Sequence, residues 1–382
     1  MSFPHPRSSS ILEHFAALRD PREGWRVLYP LREILLVVLC ATLCGMDDFV
    51  EVKLWGEARL EFLRRFLPFE RGIPSHDTLN DVMNGIDPEL FKNCFAEWVE
   101  TLRDGQPDII AVDGKTSRRC HDKARGRGPL HLVSAWAARQ RLVLGQEATD
   151  AKSNEITAIP LLLERLDLSG ALVTIDAMGT QAAIADIIVR RGGDYLLALK
   201  ANRPATRDDV ARFFADPPPG LMHSTHTTTD ADHGRVEERR HAVCHDVSWM
   251  WSDRRYPDEP RFPHLAMIGM VETRVERGDK VLNERRYYLS STKLDAKTFA
   301  NAVRTHWHIE NRLHWTLDVV FHDDLVRLRT GHGPENMAVI RHCAMNLVRK
   351  AHDKNSLKVR RKKANLDTTY LAKLLTRPAP LT

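Results

Sequence analysis

Apolar residues recur every three to four positions along Ile11–Leu18, Leu31–Leu43, Val50–Phe66 and Thr78–Met83, the spacing of one face of a helix. Asp87-Pro88 reads as a helix start, with an aspartate N-cap and proline at the first helical position. The helix it opens runs through Leu90, Phe91, Phe95 and Trp98, and Gly72-Ile-Pro-Ser75 separates it from what precedes. No strand-like run of useful length occurs here, so residues 1–105 predict an all-helical N-terminal domain.

The pattern changes near Gln106-Pro107. Ile109–Val112 is a short apolar run ending on Asp113-Gly114, and His131–Ala137 and Leu142–Glu147 flank a turn at Arg139-Gln140, which predicts a hairpin. An amphipathic helix at Glu155–Leu166, a strand at Leu172–Ile175 ending on Asp176, a helix at Thr180–Arg191 and a strand at Asp194–Leu199 ending on Lys200 follow. Three strands, then helix, strand, helix and strand, make an α/β layer domain with a mixed sheet. Residues 201–285 read as a β-rich insertion: Pro217-Pro-Pro-Gly220 and Thr225–Asp232 are loop-like, Arg235–Val247 and Met267–Arg274 alternate as strands do, and Val281–Leu289 is a hairpin return. Helical spacing resumes at Leu294 and continues to about Ala351, giving 286–352 as a second part of the α/β core. The segment 353–382 is basic, then proline-containing, and is expected to be a loose tail.

Asp113 and Asp176 each end a short apolar strand. If those strands are neighbours, about 4.7–4.9 Å apart, two carboxylates share one sheet edge, where open α/β sheets bind ligands. Asp-Gly also ends strands with no further role. A third acid changes the balance. With Phe299–Phe321 on a helix at about 100° per residue, Phe299, Ala302, Val303, Ile309, Leu313, Leu317, Val320 and Phe321 share a face, and Glu310 falls near its middle, with His306 and His314 one turn away on each side. A carboxylate aimed at a core needs compensation, from a lysine or arginine or from a cation shared with Asp113 and Asp176. Carboxylate oxygens suit magnesium, with manganese as a substitute. Two such ions roughly 3.5–4 Å apart activate an attacking oxygen and stabilise the leaving one in phosphodiester displacement. A zinc reading of His241-Ala-Val-Cys244-His245 lacks a partner cluster.

Composition adds limits. The chain has 382 residues, 43% apolar and 28% charged, which fits two or three globular domains. The longest apolar stretch, Ile34–Met46, is short of the roughly 20 residues of a membrane span. The opening MSFPHPRSSS lacks signal-peptide order, and six cysteines form no CxxC pair, so a cytoplasmic protein with reduced thiols is expected. Cys40 and Cys44 are expected in the core. There is no phosphate-binding GxxxxGK loop. Lys and Arg number 56 against 51 Asp and Glu, a mild excess. It is concentrated at Arg118, Arg119, Lys123, Arg125 and Arg127 and at Lys358 and Arg360–Lys363, which hints at a polyanion partner.

The chain resembles bacterial insertion-sequence transposases of the DDE class, in the ISAs-like branch with the H-repeat-associated proteins. The N-terminal matches are Asp20-Pro-Arg22, Leu39-Cys-Ala-Thr-Leu-Cys-Gly45 and Gly72-Ile-Pro-Ser-His-Asp-Thr78. Those of the core include Val112-Asp-Gly-Lys115, Leu130-His-Leu-Val-Ser-Ala135, Lys152-Ser-Asn-Glu-Ile156, Val173-Thr-Ile-Asp-Ala-Met-Gly179 and Lys200-Ala-Asn202. The last are His306-Trp-His-Ile-Glu-Asn311, Leu313-His-Trp315 and Leu317-Asp-Val319. The resemblance implies a ribonuclease-H-like catalytic core with Asp113, Asp176 and Glu310 as catalytic metal ligands, and a DNA-binding role for the N-terminal helices. The 134-residue gap from Asp176 to Glu310 is similar to that of relatives carrying a β-rich insertion. It further implies cleavage at element ends, joining of the freed 3′-hydroxyl to target DNA, double-stranded DNA as partner, a homodimer on DNA and residence in the bacterial cytoplasm and nucleoid. Related transposases often carry a tyrosine, an arginine and a lysine around the glutamate; here those positions are Val303, His306 and Leu317. Phosphate contacts are therefore expected from His306, Lys115, Lys200, Arg118 and Arg119. Trp249 and Trp251, at strand spacing, are candidates for base stacking or core, and Trp307 and Trp315 are expected beneath the glutamate helix. A magnesium-dependent nuclease of the same fold without strand transfer, and a catalytically silent DNA-binding relative, are the rival functions.

Overall fold

The computed structural model describes residues 10–121, 128–149, 155–221, 224–232, 235–251, 261–277 and 280–376. The N-terminal periodicity resolves into α1 (Ser10–Phe15), α2 (Leu31–Leu43), α3 (Phe49–Ala58), α4 (Leu60–Leu63), α5 (His76–Gly85) and α6 (Pro88–Glu100). Asp87 caps α6 as its sequence predicts, its Oδ1 accepting from the backbone N–H of Glu89 at 2.8 Å and Leu90 at 3.2 Å. The expected single helix over 50–66 is broken at Arg59, whose ψ of 21° leaves the helical range. α2 is apolar on all sides and buried accordingly, with Ile34 through Ala41 fully enclosed.

The remaining elements are β1 (Ile109–Ser117), β2 (Leu130–Ala137), β3 (Leu142–Thr149), α7 (Glu155–Glu164), β4 (Leu172–Ile175), α8 (Ala182–Arg190), β5 (Asp194–Leu199), α9 (Pro204–Ala215) and β6 (Ser224–Asp232). They continue with β7 (Arg235–Cys244), β8 (Met267–Arg277), β9 (Lys280–Ser290), α10 (Ala296–His306), a π-helical turn (Ile309–His314), α11 (Trp315–Val320), α12 (Gly333–Arg349), α13 (Leu357–Leu366) and α14 (Thr368–Leu375). All nine strands form one mixed sheet, in the order β3-β2-β1-β4-β5-β9-β8-β7-β6. β1, β4 and β5 run parallel, and the β2–β3 hairpin is antiparallel to β1. The insertion strands pair onto β5 through β9, so they extend the same sheet. α10 packs across β1, β4 and β7, and α7 covers β2 and β3. α12 lies against α2, α5, α6 and β3, so one apolar cluster runs from α1 to α14. Among the described residues no helix is long and apolar enough to cross a membrane.

Several expectations are corrected. β1 does not stop before Asp113-Gly114 but pairs with β2 as far as Ser117. Thr225–Asp232 is strand, not loop: it is an edge strand that exposes Thr225, Thr227 and Thr229, so it carries no apolar signal. α9 was hidden by the polar residues that it exposes. The described part of the tail, residues 353–376, is not loose but forms α13 and α14. Arg361 is buried, donating to the carbonyls of Thr42 (2.8 Å) and Val320, with its guanidinium 4.1 Å from the Phe321 ring centroid. Trp249 and Trp251 lie in a 3-10 turn (Ser248–Trp251), and Trp249 stacks on Phe213 at 5.5 Å and 11°. Trp307 and Trp315 are 49% and 57% exposed rather than packed beneath a helix. All six cysteines are buried and free.

Candidate metal centre

The β1–β4 register places Val112 opposite Ile175, so Asp113 and Asp176 leave the parallel pair at the same level. Asp176 also caps the following turn, its Oδ1 accepting from Met178 N at 2.9 Å. Gly114 is required between them and the α7 side of the sheet. A Cβ there would come within 2.3 Å of Glu155 Oε1 and 2.6 Å of His131 Nε2. Those two buried side chains hydrogen-bond to each other at 2.7 Å, and His131 also meets Thr116 Oγ1 at 2.7 Å.

Glu310 is brought over Asp113 by the π-helical turn. The expected uniform helix puts Glu310 inside the core; the structure leaves its side chain 51% exposed at the cleft edge. The helix is not uniform here: Trp315 N–H bonds Glu310 O in an i→i+5 turn over Ile309–His314. The apolar members of the face keep their places: Ile309, Leu313, Leu317 and Phe321 are buried. His314 is buried too, with Nδ1 3.3 Å from Glu310 Oε2 and 3.8 Å from Asp113 Oδ2. Ligand atoms of Asp113, Glu310 and His314 all lie within 4.8 Å of one another.

The electrostatics of the two converging acids differ. Burial pushes the Asp113 carboxyl up to about 6; His314 and the Gly114 N–H oppose this, while Glu310 and Asp176 add to it. The His314 hydrogen bond holds Glu310 below the usual range despite partial burial, with a hydrogen bond to Asp113 adding to the effect. His306 sits beside Asp176 with Nδ1 3.0 Å from Thr174 Oγ1, and burial lowers its pKa against the pull of Asp176. Among the described residues, His314 is the only side chain in ion-pair contact with Asp113 or Glu310.

The expected phosphate contacts divide. Lys115 is not free: Nζ lies 2.7 Å from Asp318, 3.1 Å from Asp323 and 3.3 Å from Asp324. Arg118 and Arg119 are exposed beyond the end of β1, Arg118 3.8 Å from Asp324, and Lys200 is exposed after β5. Lys123, Arg125 and Arg127, and Lys152–Asn154 of the sequence motif, lie outside the described residues. His241, Cys244 and His245 each bond a different backbone carbonyl, of His226, Leu221 and Leu294, so they do not converge on a zinc ion. Val303 is half-buried and Leu317 buried, so neither offers a substitute for the missing tyrosine and lysine. Sequence reasoning allowed that Lys115 pairs with a nearby acid but did not identify Asp318, Asp323 and Asp324, and it placed His314 on the right helical face without giving it a partner.

Comparison with known proteins now decides the family. The model of the transposase DDE domain matches residues 104–347, and the DDE_Tnp_1-associated model matches 12–99. The chain belongs to the DDE transposase family. It is 38% identical over 374 residues to the "H repeat-associated putative transposase YhhI" of Escherichia coli K12, covering 96% of this chain and 97% of that one. It is equally similar, 38% over 372 residues, to "Putative protein YbfL" of the same strain, covering 96% of this chain and 97% of that one. A shorter relative, "Inactive transposase YbfQ", is 36% identical over 74 residues, which is 19% of this chain and 88% of that one. Divalent metal use is general in this family, and the Asp113 cluster is an acidic group able to serve it.

Proposed function

We propose that this DDE transposase cuts DNA at the ends of an insertion sequence and joins the freed 3′-hydroxyl to target DNA, with Asp113, Asp176 and Glu310 as catalytic metal ligands. The observation that carries this reading is the convergence of Asp113 and Glu310, level with Asp176, with only His314 in ion-pair contact with them among the described residues. Carboxylates forced together in this way fit divalent ions, magnesium by preference and manganese as a substitute. When bound, two ions supply an activated oxygen nucleophile and charge stabilisation at the leaving oxygen. The chain's own residues fix the geometry: β1 and β4 hold the two aspartates side by side, and the π-helical turn swings Glu310 across them. The ribonuclease-H-like reading is supported by the order β3-β2-β1-β4-β5 with its antiparallel hairpin.

We assign the substrate strand to the groove of about 910 Å³ between the extended sheet and α10, which includes Arg239, Arg286, Arg304, Arg312 and Trp307. We assign Lys200, Arg118, Arg119 and His306 to phosphate contacts that position the DNA. The N-terminal helices, held against α12, are assigned recognition of the ends, and the active species a homodimer on DNA. The test is an assay with labelled end DNA and a target plasmid, run with magnesium and with chelator. Joined product only with magnesium, and none from Asp113→Asn, is the expected result. Cutting without joining identifies a nuclease, and binding without either identifies a silent relative. Asp113→Asn that cuts and joins like the parent removes the metal assignment.

A further inference from the structure

Resting on the metal-dependent reading above, we propose that His314 is a direct ligand of the divalent ion held by Asp113 and Glu310, making a mixed nitrogen–oxygen site with a higher manganese-to-magnesium affinity ratio than three carboxylates alone would have. Ligands about 2.1–2.2 Å from a shared ion lie roughly 3 Å apart at right angles and about 4.3 Å apart when opposite. The His314 Nδ1 separations, 3.3 Å to Glu310 Oε2 and 3.8 Å to Asp113 Oδ2, fall inside that interval. The ring is 4% exposed and its position is set by the buried side of the π-helical turn, so little ordering remains to be done when an ion enters.

A purely structural histidine would spend both ring nitrogens on the fold. His314 does not. Nε2 is buried with no hydrogen-bond partner, and the ring's polar contacts are the two carboxylates at Nδ1. Coordination uses the Nδ1 lone pair and leaves the proton on Nε2. His342, itself buried with an unpartnered Nδ1, lies within electrostatic range of the ring. A nitrogen donor raises affinity for manganese and later metals relative to magnesium, which a set of three carboxylates alone would not do.

The test uses manganese as probe on the full-length chain, read by pulsed electron paramagnetic resonance. Wild type is expected to show ¹⁴N modulation that changes to the ¹⁵N pattern when only histidine is ¹⁵N-labelled, a result that needs no variant. His314→Asn should still bind manganese, about tenfold or more weakly, with the nitrogen coupling gone and the manganese-to-magnesium affinity ratio reduced. His306→Asn should keep the coupling. Manganese bound by wild type without nitrogen coupling, or coupling that survives in His314→Asn, overturns the proposal while leaving the carboxylate site standing. Wild type that binds no manganese overturns both.

Discussion

Two acid clusters lie on the same face of the sheet, two residues apart along β1, and they behave in opposite ways. Around Asp113 the partners are Glu310, Asp176 and His314, and the Asp113 carboxyl is pushed up to about 6, burial leading. Around Lys115 the acids are Asp318, Asp323 and Asp324. Asp323 is buried, yet Arg341 and Lys115 outweigh that burial and hold it down to about 2, with Ser117 Oγ donating at 2.6 Å. A third acid group, Glu89, Glu147 and Glu335, closes on the buried Lys92 at 2.6, 2.5 and 3.0 Å. Acids that carry their own cation serve the fold. Acids that converge with no lysine or arginine in ion-pair contact are left with a charge for something else to balance, and of these three groups that is the one at Asp113.

The comparison can be broken by experiment. Asp113→Asn should lower strand joining by about 10³-fold or more, the loss of several kcal/mol of charge stabilisation, measured as joined product per unit time. Asp323→Asn should take the ion-pair partner from buried Arg341 and one of three carboxylates from Lys115, and cost about 3 kcal/mol or more in urea unfolding. The pH dependence follows from the sign. Asp323 has a folded value below its ordinary 3.8, so its stabilisation is present above about pH 4 and lost as pH falls towards 2. Wild type and Asp323→Asn should therefore converge in stability on acidification, and parallel curves would refute the network.

The metal-free chain should respond in the reverse sense at the other cluster. Asp113 is raised, so its ionisation opposes folding as pH rises through about 6, and Asp113→Asn should gain about 1–2 kcal/mol at neutral pH while it loses joining. A destabilised Asp113→Asn would place this carboxylate with the structural acids. The smallest effect separates two lysines. Lys200→Ala should weaken DNA binding and reduce the slope of log affinity against log salt by about 1. Lys115→Ala should instead act on stability, because its ammonium is already engaged by three carboxylates.

Much of this was legible in the amino-acid order. The 3.6-residue and two-residue periods located most helices and strands, because amphipathic burial is written locally. The two aspartates stood out because each follows a short buried run, and β1 and β4 proved to be neighbours. The same logic failed where a segment exposes what it carries. β6, as an edge strand, and α9, largely polar, showed no apolar period strong enough to read. The basic tail hid Arg361, whose buried partners are the carbonyls of Thr42 and Val320, far away in sequence.

Taken alone, the order of residues determined the element types, the family words and the three candidate acids, since each depends on neighbours within a few positions. Tertiary structure decided the rest. It joined the insertion strands to the central sheet through β5 and β9, and it underwound the helix so that Glu310 reaches Asp113 from the surface. It also gave Lys115 its cluster of aspartates and left Asp113 with a histidine. The physical reason is that a charge's role depends on which partner stands within about 4 Å, and partners some two hundred residues apart are chosen by packing, not by spacing.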